Sequence, residues 1–178
     1  MITRAPGYLL STDHVSVDLL AYRALLTRAA KEVEAGQVAE ASDHLGAALA
    51  MWRGPAFGDI ETPNIVNAAA ALERGRLLAV ERKAECDLQL GRFDGVVEEL
   101  SLVLATHPYR EVSRAVLMLA LYRRGCRTEA LDAYRAGWRL LHEQFGIEPG
   151  HQLRRLHEMM LSDDPRLAEP ELLAIIQS

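Results

Sequence analysis

His151 and His157 come closest in this chain to a metal-binding pair, and their spacing is wrong for it. Six apart on one helical stretch, they do not share a face well enough to hold an ion. The other four histidines are scattered. Glu98-Glu99 and Asp163-Asp164 are sequence neighbours and read as solvated faces or caps rather than general acid and base. Cys86 and Cys126, each inside a helical pattern, read as reduced structural thiols. The turn "GRFDG" looks glycine-rich but has no lysine or threonine following it to hold a phosphate. None of the phosphate-loop, dinucleotide, nucleophile-elbow or zinc-protease patterns occurs. The expectation is a chain with no catalytic residues, no cofactor and no metal, and hence no enzyme.

Arginine pairs remain: Arg123-Arg124 and Arg154-Arg155. Cations near helix ends complement the dipole and solvate a surface. The other use is a contact surface for an acidic partner protein. Eighteen of the twenty basic residues are arginine, yet the formal charge is −5 and the isoelectric point about 5.7. A chain that grips phosphates electrostatically carries a basic stripe, so this segment is not expected to bind DNA by itself.

The elements that would position these residues are helices. At 178 residues, with 49% hydrophobic and only 6% aromatic content, the chain can build one aliphatic, alanine-rich core. It shows neither a signal peptide nor a run of roughly 18 apolar residues able to span a bilayer. A cytoplasmic protein with no membrane contact is expected. The first helix is capped by Asp18, with Val17 and Tyr22 in staple positions, and ends at Gly36. "RGPAFGDIETPN" is a loop, and Thr62-Pro63 opens a long helix that ends at Gly91. Further helices follow Gly91, Pro108, Gly125 and "FGIEPG". "EVSRAVLMLALYRRG" is apolar on nearly every face and should be buried on both sides.

Aligning the chain on Gly36, Gly91 and Gly125 brings out a repeat. Five residues after each glycine stand Ala41, Val96 and Ala130; nine after, Leu45, Leu100 and Tyr134; twelve after, Ala48, Val103 and Gly137; thirteen after, Leu49, Leu104 and Trp138. Three before stand Val33, Leu88 and Tyr122; seven before, Ala29, Ala84 and Met118. Gly125 follows Gly91 by 34 residues, the tetratricopeptide period, while Gly91 follows Gly36 by 55, leaving a 21-residue insertion. The predicted fold is all-α: three degenerate tetratricopeptide-like helix pairs plus a C-terminal helix, preceded by a short extended segment. Residues 1–12 form that segment, 13–161 the helical domain, and 162–178 a linker or docking tail with little to pack on.

Several stretches resemble the bacterial transcriptional activation domain of SARP-type antibiotic-pathway regulators, over about Val17 to Leu161. The motifs are Trp52-Arg53-Gly54, His107-Pro108 with Arg110-Glu111, Ala120-Leu121-Tyr122 with Gly125, Glu129-Ala130-Leu131, and Glu148-Pro149-Gly150. Cys126 departs from the usual arginine, and "PNIVNAAAALE" is looser than the family's loop. In that family an OmpR-like winged helix precedes the helical domain, and "TRAPGYLL" is similar to its last wing strand. The resemblance implies that Tyr8-Leu9-Leu10 is that strand, its hairpin partner lying upstream of this chain, and that Arg4 sits near DNA in an intact protein.

The function so implied is the interaction and activation domain of a regulator of a secondary-metabolite gene cluster. Its partners are RNA polymerase holoenzyme, its own winged helix and a second copy of itself, with DNA reached only through the absent domain. The expected contact surface is the face lined by the first helix of each pair. Its candidates are Tyr22, Arg23, Arg82, Glu85, Arg123, Arg124, Arg154 and Arg155. A rival reading is a sensor of a peptide or small ligand, which requires a deep pocket with convergent polar groups; the alanine-rich sequence does not show one. A second rival is a repeat scaffold unrelated to transcription.

Overall fold

The structure, a computed structural model, describes residues 2–4, 7–9, 17–58, 62–169 and 172. Two short strands, β1 (Ile2–Arg4) and β2 (Gly7–Leu9), come first. Seven helices follow among the described residues: α1 (Asp18–Glu34), α2 (Val38–Ala50), α3 (Pro63–Gln89), α4 (Phe93–Thr106), α5 (Glu111–Arg123), α6 (Arg127–Phe145) and α7 (His151–Ser162). A 3-10 turn closes the described part at Pro165–Ala168. The chain divides into two compact units, Met1–Ala79 and Val80–Ser178.

The repeat is real in its turns. Gly36, Gly91 and Gly125 have φ of 73°, 75° and 83°, the left-handed region that only glycine enters without strain. At each turn the same pair of bonds closes the helix. Gln37, Arg92 and Cys126 donate back five residues to Glu32, Asp87 and Leu121, while the glycines donate back three. This double closure satisfies carbonyls that the helix end leaves over. Burial follows the same phase. Ala41, Val96 and Ala130, then Leu45, Leu100 and Tyr134, then Ala29, Ala84 and Met118, are all buried. Position three before the glycine breaks the pattern, because Val33 is exposed and its neighbour Glu32 is buried instead.

In the first unit α1 packs on α2. Asp18 is the first helical residue rather than the cap, with Val17 in the cap position, and its Oδ1 accepts the Leu19 amide at 2.7 Å. Glu32 is buried because it accepts from Arg28 Nε at 3.0 Å and meets His44 Nδ1 at 2.8 Å. Burial works against the charged carboxylate, but these two partners outweigh it and hold its pKa below the usual value. The insertion goes into the α2–α3 loop and into α3, which has 27 residues against 13 in α5.

The hairpin corrects one expectation. The partner of β2 is within the chain: Ile2, Thr3 and Arg4 pair antiparallel with Leu9, Tyr8 and Gly7. Leu10, placed in the strand by its sequence, lies outside the described residues.

The second unit centres on α5, where Val116 through Leu121 are all buried against α4, α6 and α7. That matches a helix apolar on nearly every face. Beyond α7 the segment expected to be a linker or docking tail with little to pack on does find something to pack on. Leu167 and Leu172 are buried in the same core, and Arg123 donates to the carbonyls of Leu167 and Glu169. Two well-spaced leucines and one arginine supply a docking that the polar run "SDDPRLAEP" conceals.

Candidate protein-contact surface

The motif residues of the second unit hold it together. Glu81, buried on α3, accepts from Arg110 through both carboxylate oxygens and from Ser113 Oγ at 2.5 Å. Glu111 accepts the Gly150 amide at 2.6 Å and so closes the start of α7, which has no side-chain cap of its own. Trp138 Nε1 donates to Glu148 at 2.7 Å, and Pro149, next in the chain after Glu148, is fully buried. Arg114, also buried, donates to the carbonyls of Ala133 and Pro108 at 2.9 and 2.8 Å. Its side chain lies where a β-carbon on Gly137 would stand, 2.4 Å from Nε. The small residue of the third repeat therefore admits a guanidinium rather than a facing backbone.

What this bracing leaves outward is a groove of about 700 Å³ between α6 and α7, lined by Tyr134, Arg135, Trp138, Arg139, His157 and Leu161. Spacing on α6 puts Tyr134, Arg135, Trp138 and Arg139 three and four residues apart, hence on one face. Tyr134 and His157 stack with centroids 3.8 Å apart and planes 4° from parallel, and Trp138 stacks on His142 at 4.8 Å. Burial pushes the His157 pKa down, helped by the charge of Arg135, so this ring stays neutral at pH 7. Burial likewise raises the Tyr134 hydroxyl. The result is a flat aromatic floor with exposed cations on its edge and an exposed Leu161 at one end. Such a surface fits an acidic segment with an aromatic or aliphatic anchor.

The residues singled out by sequence fall in different places. Arg154 and Arg155 are exposed on α7, and Arg154 is close enough to Tyr134 to act on its charge. Arg123 is bound to the tail and Arg124 pairs with Asp94 at 3.3 Å, so the two adjacent arginines serve different elements. Arg82 and Glu85 come together, 3.2 Å apart along one turn of α3. Arg23 is exposed on α1. Tyr22 is only 5% exposed, which removes it from any outer surface. Arg4 ends β1, its backbone opposite Gly7. Sequence reasoning missed Trp138, Arg135 and Arg139. Trp138 stands at repeat position thirteen, and its spacing of four from Tyr134 on one helix face is the available signal.

Cys86 is buried, and burial raises its thiol pKa to about 11, which leaves it inert; Cys126 is half-buried, and both are free thiols. No group of metal-ligating side chains is found among the described residues, and no described helix is long and apolar enough to cross a membrane.

Helical repeats braced from within define an all-α domain of the tetratricopeptide-like class. Comparison with known proteins places it further. Residues 17–161 match the model of the family described as the bacterial transcriptional activator domain, and the chain belongs to that family. It is 34% identical over 170 residues to the regulatory protein AfsR of Streptomyces griseus, covering 96% of this chain and 18% of AfsR. It is 36% identical over 160 residues to the regulatory protein DnrI of Streptomyces peucetius, covering 89% of this chain and 59% of DnrI. Among solved structures, Mycobacterium tuberculosis EmbR in complex with a low affinity phosphopeptide matches with a TM-score of 0.86 at 35% identity, over 97% of this chain and 46% of that one. These relatives are transcriptional regulators, and the chain spans less than two thirds of the length of each.

Proposed function

We propose that this chain is the protein-contact half of a bacterial pathway-specific transcription activator serving a secondary-metabolite gene cluster. A winged helix, of which the β1–β2 hairpin is the last piece, carries the DNA contacts. The helical domain buttresses it, pairs with a second copy, and holds RNA polymerase holoenzyme. The work is binding, not catalysis: each 1.4 kcal/mol of added contact raises polymerase occupancy about tenfold. The acidic net charge supports this division, since a domain at −5 is poorly suited to phosphate.

The observation that carries the reading is the α6–α7 groove, where Arg135 and Arg139 line the space beside the Tyr134–His157 and Trp138 rings and the charge of Arg154 reaches Tyr134. Retention of RNA polymerase holoenzyme by this chain, without DNA and at moderate salt, tests it. The expected result is retention that falls with added salt and disappears in an Arg135→Glu, Arg139→Glu, Arg154→Glu variant. Retention unchanged in that variant would move the contact off the groove. No retention, with an intact winged-helix relative still retaining polymerase, would move it off this domain.

A further inference from the structure

A fourth turn repeats the geometry of the three glycine turns, at the end of α7 and without a glycine. Asp163 has φ of 55°, left-handed as in the three glycines. Asp164 then donates back five residues to the Met159 carbonyl, as Gln37, Arg92 and Cys126 do after their turns. Counted from Asp163, Leu156 stands seven before and Met160 three before, and both are buried in the core. These are the places of Ala84 and Leu88 in α3, so α7 is the first helix of a fourth pair. In such an array each pair contacts its neighbours, and the next pair covers the face that one pair leaves open. Positions nine and thirteen after the turn carry that face. In α4 they are Leu100, fully buried, and Leu104, half-buried against the same core. In α6 they are Tyr134 and Trp138, which line the groove together with His157 and Leu161 of α7. Past Asp164 the described chain makes a 3-10 turn, and Arg123 of α5 donates to the carbonyls of Leu167 and Glu169. Neither these two residues nor Leu172 lines the groove. The place of a second helix beside α7 is thus a groove of about 700 Å³.

That place also has a charge. Every other described arginine or lysine of the second unit binds a carboxylate or a carbonyl; among the described residues Arg139, Arg154 and Arg155 bind neither. All three are exposed. Arg139 lines the groove, one turn beyond Arg135 on α6, whose own charge is taken up by Asp132 at 2.8 Å. Arg154 stands three residues before His157 on α7, and its charge acts on the Tyr134 hydroxyl. Glu158 is the one carboxylate on α7, and it is paired with neither arginine of that helix. In a chain of net charge −5, cations left over on one side of one groove call for an anionic partner.

We infer that the groove seats an acidic amphipathic helix of the partner protein, which lies along α6 and α7 as the second helix of the fourth pair. Its apolar stripe rests on Tyr134, Trp138 and Leu161, and its carboxylates meet Arg139 and Arg154. The inference rests on the reading of this groove as the protein-contact site, and adds the form and the charge of what the groove holds. Repeat geometry supplies the form, because the same positions in the preceding pair are covered by helix. The unpaired arginines supply the charge.

The probe is a synthetic peptide of about 18 residues, glutamate and alanine with leucine at every third and fourth position. It is titrated into the whole 178-residue chain and followed at the indole N–H signals of Trp138 and Trp52. Two further peptides accompany it, one with lysine for each glutamate and one with a central proline that breaks the helix. The expected result is a saturable shift at Trp138 with Trp52 unmoved, and affinity at least about tenfold weaker for the proline and lysine peptides. The double variant Arg139→Gln, Arg154→Gln should bind the acidic peptide about three- to tenfold more weakly at low salt. Both arginines are exposed and unpaired, so this variant keeps the fold. Equal affinity for the proline peptide makes the occupant an extended segment, and equal affinity for the lysine peptide removes the role of charge. No binding at about millimolar peptide means that the groove is closed to a helix. Each of these overturns the inference. If one of them occurs while the groove variant still loses polymerase, the contact reading stands and the helix alone is refuted.

Discussion

The family motifs of the two units are built on opposite plans. Around Arg110-Glu111 and Glu148-Pro149-Gly150 the polar groups are absorbed inside the protein: Arg110 on Glu81, Glu111 on the Gly150 amide, Glu148 on Trp138. Around Trp52-Arg53-Gly54 the Trp52 ring is held between Tyr22 and Arg76, and the loop is strained at Phe57. Evenly matched motifs in a sequence therefore need not have one kind of role. A motif whose polar atoms are all used is a brace, and its residues matter to stability.

The comparison is broken most directly at Glu81. Glu81→Ala leaves Arg110 partly buried without its carboxylate, and removal of one partner of such a pair costs about 3–5 kcal/mol. Urea unfolding should show that loss, and replacing Glu81 and Arg110 together with leucine and methionine should recover most of it. Gly137→Ala comes next. Its β-carbon collides with Arg114 Nε and Cδ, and overpacking costs about 1–3 kcal/mol. If both changes cost less than about 0.5 kcal/mol, the bracing role of these motifs is wrong.

Much of this plan was legible in the sequence. The three glycines, with small or apolar residues five and nine beyond and seven before, have a physical cause that repeats: one turn geometry and one packing distance. The charges obeyed no such period. Glu81 sits in an ordinary amphipathic stretch, and its burial depends on Arg110 and Ser113, 29 and 32 residues away. Whether the tail is linker or docking element was left open for a related reason, since its packing relies on two isolated leucines and on carbonyls that any residue would offer. Tyr22 shows the limit from the other side. It was picked out as a contact residue, but helix periodicity alone could not tell a hydroxyl facing solvent from one that is buried.

Smaller effects test individual braces. Glu111→Ala removes the acceptor at the start of α7 and should cost about 1 kcal/mol, seen as faster amide exchange in the first turn of that helix. Asp164 offers a pH test. Hydrogen bonds from Arg166 lower its pKa to about 2, from an ordinary 3.8. A depressed carboxylate stabilises the fold fully above the unfolded value and loses that contribution as pH falls through the folded one. The protection factor of the Leu167 amide, which is bonded to the Asp164 carbonyl, should therefore be steady above pH 4 and fall between about pH 4 and 2. Protection unchanged down to pH 2 would mean that Leu167 burial alone holds the tail.

The finest test uses one substitution in both units. Tyr122 donates its hydroxyl to Asp163, whereas the Tyr22 hydroxyl is buried and meets only the Trp52 indole, without a hydrogen bond of full geometry. Deleting a hydroxyl that makes an exposed bond should cost about 0.5–1 kcal/mol, so Tyr122→Phe lowers the unfolding midpoint. Deleting one that is buried and poorly bonded removes more desolvation cost than bonding, so Tyr22→Phe raises stability, by up to about 1 kcal/mol. Opposite signs for the same chemical change would separate a hydroxyl that braces the fold from one that does not. A loss in Tyr22→Phe equal to that in Tyr122→Phe would mean that its hydroxyl has a structural partner after all. The amino-terminal motif would then be a brace like the others.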